Sequence, residues 1–439
     1  MTYKKLFEIY TYTSTILGII YFMLSPLASA QTWLTSARNG KSEEIEFFSS
    51  VSEITPQPAK QAPLSTDSTM NTFLDWCENR DNLNPEAKHT VEVILERIRI
   101  QDCQRAYQKL LSTTSLELSS DGVLLQERIN DLSPLSSLVH LEELDLSDNE
   151  ISDLTPLSSL VNLRTLYLND GTKHRSRYVV RHGEEPLDLT PLASLKNLQN
   201  LQLAHNVITD LNPLASLKEL RILVITGIGV SGYSSDITAQ YNRDVNLMVL
   251  SNLTNLHELH IGRNPHIKDF TPISSLINLQ LLVIEESKLQ DISFVSNLIN
   301  LKELYIFQNK ITDITPLSNL TNLQKLYLFN NPNLQRIAPL SNLSQLKVLL
   351  LGNNSIQDLS PLSSLTNLEE LHLWDNEIRD VTPLSTLKNL QVLELSQNRQ
   401  LRDISSLSAL TNLQLLRLYG NFRLVENCPL PRESVCVWD

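Results

Sequence analysis

LKVLLLGNNSIQDLSPLSSLTN, residues 346–367, runs directly into LEELHLWDNEIRDVTPLSTLKN, residues 368–389. The two share the spelling L-x-x-L-x-L-x-x-N-x-I-x-D-[ILV]-x-P-L-x-x-L-x-N, with a period of 22 residues. Self-similarity at such a period marks stacked units rather than a domain with one central core. Leu371 and Leu373 are two apart, so both point to one side of a strand, and His372 and Trp374 point to the other. Asn376 follows where the chain must leave the strand, and its amide can both donate to and accept from backbone groups that a turn leaves unpaired. Ile378 and Val381 return apolar groups to the core. Thr382-Pro383-Leu384 starts a short 3₁₀ or helical turn, since proline suits the first helical position.

One such unit cannot bury its leucines alone; stacking makes the core continuous. The expected fold is an α/β solenoid, a leucine-rich-repeat horseshoe. Its parallel β-sheet lies on the concave face, where strands stack ~4.8 Å apart. The bulkier helical turns lie on the convex face. Full units start at Leu141, Leu163, Leu198, Leu220, Leu256, Leu279, Leu301, Leu323, Leu346, Leu368 and Leu390, with an imperfect unit before and a partial one from Leu413. Two units carry insertions, near 170–186 and 228–244, and three gain one residue near Asn264-Pro265, Asn331-Pro332 and Asn398-Arg399. The asparagine column, Asn149, Asn206, Asn264, Asn309, Asn331, Asn354, Asn376 and Asn398, is expected to form a structural ladder. Asn353, one position before a ladder residue, is expected to face outward and to tolerate alanine.

The flanks divide the rest of the chain. Residues 1–30 read as a cleaved secretory signal: Lys4 and Lys5, an apolar run from Ile16 to Met23, then Ala28-Ser29-Ala30. That run is shorter than the ~20 residues a membrane span needs, so no stable anchor is expected after cleavage. Residues 31–70, rich in Ser, Thr, Pro and Glu, read as a flexible linker. Residues 71–112 read as a helical N-terminal cap, with Asn84-Pro85-Glu86 as a helix start and a further helix over Cys103–Leu111. The solenoid covers 113–424 and a C-terminal cap 425–439. Net charge is −13, which becomes −14 once Lys4, Lys5 and Glu8 are removed. Such a balance excludes a general nucleic-acid or anionic-membrane binder.

The four cysteines lie outside the repeats, Cys77 and Cys103 before them and Cys428 and Cys436 after. About twelve strands would separate the two pairs by ~55 Å, against the ~7 Å between Cα atoms that a disulfide tolerates. The expected links are therefore Cys77–Cys103 and Cys428–Cys436, one per cap, in a secreted or periplasmic compartment. The competing reading is free buried thiols.

The repeat spelling resembles the internalin-type, 22-residue class of bacterial leucine-rich-repeat proteins. The resemblance rests on the asparagine column and on Asp153 to Leu157, Asp313 to Leu317 and Asp358 to Leu362, and spans about residues 113–424. The cap sequences around Trp76-Cys77 and Cys428-Pro429 resemble those of secreted cyanobacterial repeat proteins. Internalins bind host proteins through the concave face. This chain stops at Asp439 with neither an immunoglobulin-like module nor an LPxTG anchor, so the resemblance implies protein binding and not host invasion.

Candidate binding residues follow from the outward strand positions. Aromatics gather there in the later repeats: Tyr305, Phe307, Tyr327, Phe329, Trp374 and Tyr419, with Leu350 and His372 among them. The leucine core does not need these rings, so they read as a partner-binding patch whose truncation should leave stability nearly unchanged. The competing reading is a cross-strand stack that serves the sheet alone. Gly352, beside Leu350, would leave a shallow recess. His257-Glu258-x-His260 lacks a metal geometry, because on a strand the two histidines face opposite ways. The basic insertion from Lys173 to His182 reads as a loop attracted to its own acidic scaffold. No nucleophile–base arrangement, phosphate loop or zinc spacing is spelled, so no enzymatic role, cofactor or metal is expected. The expected function is a secreted, monomeric protein-binding scaffold. The alternative is a surface protein that stacks its aromatic stripe on carbohydrate.

Overall fold

The computed structural model describes residues 70–120, 128–170, 186–228, 245–425, 427–432 and 435–438. The signal-like segment, nearly all of the linker and most of both insertions lie outside these residues. The described residues fall within one compact unit, Thr66–Asp439. It is an α/β solenoid whose strands, β1 (Ser115–Glu117) to β14 (Cys436–Val437), form one parallel sheet in unbroken sequence order. Each strand from β1 to β13 has three residues. In each, the middle leucine faces the core, and equivalent leucines pair from repeat to repeat, as Leu326, Leu349 and Leu371 do. A 3₁₀ turn such as Thr382–Thr386 carries the chain along the convex side. No helix among the described residues is long and apolar enough to cross a membrane.

The polar spelling of the repeat satisfies backbone at three levels. Asn376 is buried at the end of its strand. Its Nδ2 donates to Leu373 O of its own repeat at 3.1 Å and to Leu351 O of the preceding repeat at 2.9 Å. Its Oδ1 accepts from Ile356 N–H at 3.0 Å. One amide thus closes three backbone groups that the turn would leave buried and unpaired. Asn331, Asn354 and Asn398 bond the same way. Asn421 continues the column in the partial last repeat, a position the sequence reading did not include.

A second asparagine column, which the repeat spelling contains but to which no role was given, lies at the entry to each strand. Asn162, Asn197, Asn300 and Asn389 each donate from Nδ2 to a carbonyl of the preceding repeat at 2.8–3.0 Å. The aspartate column has a third role. Asp313, Asp358 and Asp380 accept from the N–H two residues on at 2.8 Å, capping the 3₁₀ turn. These bonds, with those from the Thr hydroxyls, hold the carboxyls of Asp188, Asp269, Asp313 and Asp380 below the usual range.

The residue before each ladder position adopts a left-handed backbone. Asp148, His205, Gln308, Asn330, Asn353 and Asp375 have φ between 49° and 63°, and Gly227 and Gly420 stand in the same column. This corrects the reading of Asn353: its φ is 49°, and its Nδ2 donates to Asn330 Oδ1. Alanine there would meet a cost of ~1–2 kcal/mol for the left-handed conformation, whereas glycine would not. In one repeat Ser287 replaces asparagine. Its hydroxyl still accepts from Asn264 N–H of the preceding repeat at 3.3 Å and donates to Glu285 O at 3.0 Å, and Asn309 Oδ1 of the next repeat accepts from both Ser287 N–H and Leu289 N–H at 3.0 Å.

Both ends of the core are covered. Helices α1 (Phe73–Glu78), α2 (Pro85–Ile98) and α3 (Cys103–Leu111) bury Phe73, Trp76, Val91, Ile94 and Leu110 against the first repeats. A Cys77–Cys103 disulfide ties α1 to α3, with Cα atoms 5.6 Å apart. At the other end Cys436 pairs with Leu416, so the cap adds a last short strand, and Cys428–Cys436 closes it.

Two predictions follow from the ladders. Asn376→Ala should lose about 1–3 kcal/mol in urea unfolding, because it orphans buried backbone groups, while Asn353→Gly should be close to neutral. Equal losses would show that the side-chain bridge is not what matters. The aspartate caps predict the acid limb. Their folded pKa values lie below the unfolded value of ~3.9, so their contribution is complete above that pH and disappears as pH falls through the lower folded values. Melting followed from pH 5 to pH 2 should show this loss. Asp313→Asn with Asp380→Asn, which keeps an acceptor but removes the charge, should flatten it.

Candidate functional site

The concave face is built from the outward residues of the strands and of the residue just beyond each strand. Strands β8 (Glu303–Tyr305), β9 (Lys325–Tyr327), β10 (Val348–Leu350) and β11 (Glu370–His372) carry the later aromatic patch. Their register sets Tyr305 beside Tyr327, Tyr327 beside Leu350 and Leu350 beside His372. The sheet therefore brings together Tyr305, Tyr327, Leu350 and His372 as one row, and Phe307, Phe329 and Trp374 as the next.

The rings are less exposed than the sequence reading expects, because they cover one another. Phe307 and Phe329 stack with centroids 4.4 Å apart and planes at 11°. Tyr305 and Tyr327 meet edge to face, also at 4.4 Å. Phe307 and Phe329 are each only 3 % exposed. Tyr419, in the last repeat, is the most open of the set at 38 %. The recess expected at Gly352 is filled: a Cβ there would lie 2.1 Å from Trp374 Nε1, so the indole lies directly over this glycine. Leu350 is buried alongside. Such ring pairs add ~0.5–1.5 kcal/mol beyond their area, so truncating these rings affects stability as well as surface, contrary to the sequence-based expectation.

Carboxylates rim the rings. Tyr305 Oη donates to Glu303 Oε2 at 2.6 Å, and Lys325 Nζ lies 3.1 Å from Glu303 Oε1. His372 Nε2 lies 2.6 Å from Glu370 Oε1, and this bond lowers the pKa of Glu370. Burial, then the nearby charges of Glu370 and Glu303, push the Tyr327 hydroxyl up to about 12. Burial and the bond to Glu303 raise Tyr305 further. Both hydroxyls therefore stay protonated, and that of Tyr305 donates to Glu303. The sequence reading gave Glu303 and Glu370 no role, because it took only the two later outward positions of each strand as the concave face. The signal was present as Glu258-Leu-His260, Glu303-Leu-Tyr305 and Glu370-Leu-His372, where period two puts acid and ring on one face.

Earlier on the same face the chemistry is polar. His260 Nε2 lies 2.6 Å from Glu258 Oε1, and His257 is exposed, with Nδ1 2.7 Å from Asn255 O. Glu285 folds over Gly262, as Trp374 does over Gly352, and lies 3.8 Å from Arg263. Desolvation raises its pKa. Among the described residues no group of three His, Cys, Asp or Glu side chains is arranged to hold a metal.

The family model for leucine-rich repeats in two copies matches residues 139–173, 299–342, 321–364 and 344–386. No curated protein matches the chain. Among solved structures, the internalin InlF of Listeria monocytogenes is similar over 84% of this chain and 98% of its own, at 29% identity and a TM-score of 0.67. The functional domain of InlJ from the same organism, which includes a cysteine ladder, aligns over 80% of this chain and 66% of its own, at 22% identity and a TM-score of 0.58. A leucine-rich-repeat protein of Leptospira interrogans aligns over 72% of this chain and 81% of its own, at 22% identity and a TM-score of 0.54. With the repeat spelling and the open parallel solenoid, these likenesses show an internalin-like leucine-rich-repeat fold.

Proposed function

We propose that the chain is a secreted, non-enzymatic scaffold that binds a protein partner on its concave face, centred on the later repeats. The observation that carries this reading is the preformed double row of rings edged by Glu303 and Glu370. The stacked pairs are already ordered by the sheet, so a partner docking there pays little for fixing side chains. Large amphipathic rings are common binding hot spots. The rim of carboxylates favours a partner that carries cationic groups beside an apolar or aromatic anchor. Two disulfides support an oxidising, extracytoplasmic setting.

The test is cross-linked capture by the full chain from its native surroundings, with a glycan array beside it. Trp374→Ala with Tyr327→Ala should weaken capture by ~2 kcal/mol or more under conditions where melting shows the variant folded. Asp145→Ala, on the same face in an early repeat, should bind as wild type. Normal binding by a folded but less stable double variant would make the rings a sheet-stabilising stack and place the site elsewhere. Selective binding to the glycan array, with no captured protein, would favour the carbohydrate reading.

A further inference from the structure

The rim of the last repeats carries a feature of opposite sign to the rest of the molecule. Arg379, Arg402 and Arg423, with Gln400, line a concavity of about 260 Å³. No carboxylate contributes to this lining. The repeat geometry explains the convergence. Arg379 and Arg402 occupy equivalent positions, each just before the aspartate that caps the next 3₁₀ turn. Arg423 occupies the position of Gln400, two before them, in its own repeat, and its Nη1 donates to Gln400 Oε1 at 2.9 Å. Three guanidinium groups from consecutive repeats therefore meet at one place.

Acidic neighbours do not neutralise them. Asp380 and Asp403 adjoin Arg379 and Arg402 in sequence, but their Oδ1 atoms accept from Thr382 N–H and Ser405 N–H at 2.8 Å. Asp403 Oδ2 also accepts from Ser405 Oγ at 3.0 Å. Among the described residues, Arg379, Arg402 and Arg423 have no ion pair within 4 Å. In a chain of net charge −13, carboxylates are plentiful, yet this cleft excludes them. Three like charges around one concavity repel one another, and an anion between them relieves that repulsion. Guanidinium groups match tetrahedral oxyanions, because paired N–H donors meet paired oxygens. Beside the cleft in sequence stand the two most exposed large apolar residues among those described, Phe422 at 83 % and Val425 at 77 %. They offer contact to an apolar or ring-shaped body that carries the anionic group.

We propose that this rim cleft is a second binding site, distinct from the concave face, for a sulfate or phosphate ester on a small or short ligand. The strongly negative remainder of the surface disfavours a long polyanion such as nucleic acid. Arg402 holds the centre of the site, with Arg379 and Arg423 on either side. Gln400 fixes the Arg423 guanidinium and leaves its amide for a further donor contact.

The experiment titrates the full chain with glucose 6-sulfate and with glucose 6-phosphate at constant ionic strength, following arginine Nε–Hε resonances. Glucose and sodium chloride serve as blanks. Saturable shifts confined to the cleft arginines are expected with at least one ester, and the tighter of the two identifies the group. Arg402→Gln should weaken binding about tenfold or more, with Arg402→Lys recovering part of the loss. Arg399→Gln removes a nearby charge that does not line the cleft and should change nothing. Shifts no larger than those with chloride would overturn the proposal. So would equal weakening by Arg399→Gln and Arg402→Gln, because the response would then report net charge and not a site. Melting temperatures of the variants should match wild type, since both positions are on the surface.

Discussion

The fold depends on one constraint: each repeat ends its strand inside the protein and must satisfy the backbone groups that the turn leaves behind. Leucine packing supplies the apolar contact between repeats but cannot meet that need. The buried amide of Asn376 does so for its own strand and for the preceding repeat together, with bonds to Leu373, Leu351 and Ile356. Because each ladder residue reaches back by one repeat, successive units are joined by polar bonds as well as by apolar burial. A half-satisfied ladder would be costly in so dry an environment. The Ser287 repeat shows the tolerance: the shorter hydroxyl still accepts from Asn264 N–H of the preceding repeat, and the next asparagine accepts from both Ser287 N–H and Leu289 N–H.

The same constraint shapes the concave face. The left-handed residue before each ladder position turns the chain out of the strand, so the residue just before it stays on the outer surface. That residue is Phe307, Phe329 and Trp374 in the aromatic repeats, with Gly352 between the last two. Asn309 even holds the carbonyl of Phe307, at 3.1 Å. The rings are thus carried on the most tightly bonded part of each repeat, and their mutual stacking follows from strand spacing. A surface of this kind is rigid before any partner arrives, which favours affinity through pre-organisation.

Much of this was legible in the sequence for a simple reason. A repeat prints its own geometry many times, so period, inward leucines and ladder asparagines reinforce one another, and two cysteines at each end leave only local pairings geometrically reasonable. What was not legible depends on where side chains go after the backbone is set. Trp374 folds back over Gly352, and the spelling of one repeat says nothing about a ring from the next. Glu303 and Glu370 received no reading from the sequence, although period two places them beside Tyr305 and His372. The cap strand Cys436–Val437 is too short to carry any periodicity. The arginine cleft joins residues from three repeats whose side-chain directions no local pattern fixes.

Hydrogen exchange on the full chain tests the ladder most directly. The amides of Ile311, Ile356 and Ile378 donate to the Oδ1 atoms of Asn331, Asn376 and Asn398. If these bonds hold the solenoid together, the three amides should be among the slowest to exchange, opening only with the cooperative unfolding of neighbouring repeats. Exchange as fast as that of exposed amides on the convex turns, such as Asn162 or Asn389, would contradict the account and leave leucine packing as the sole tie between repeats.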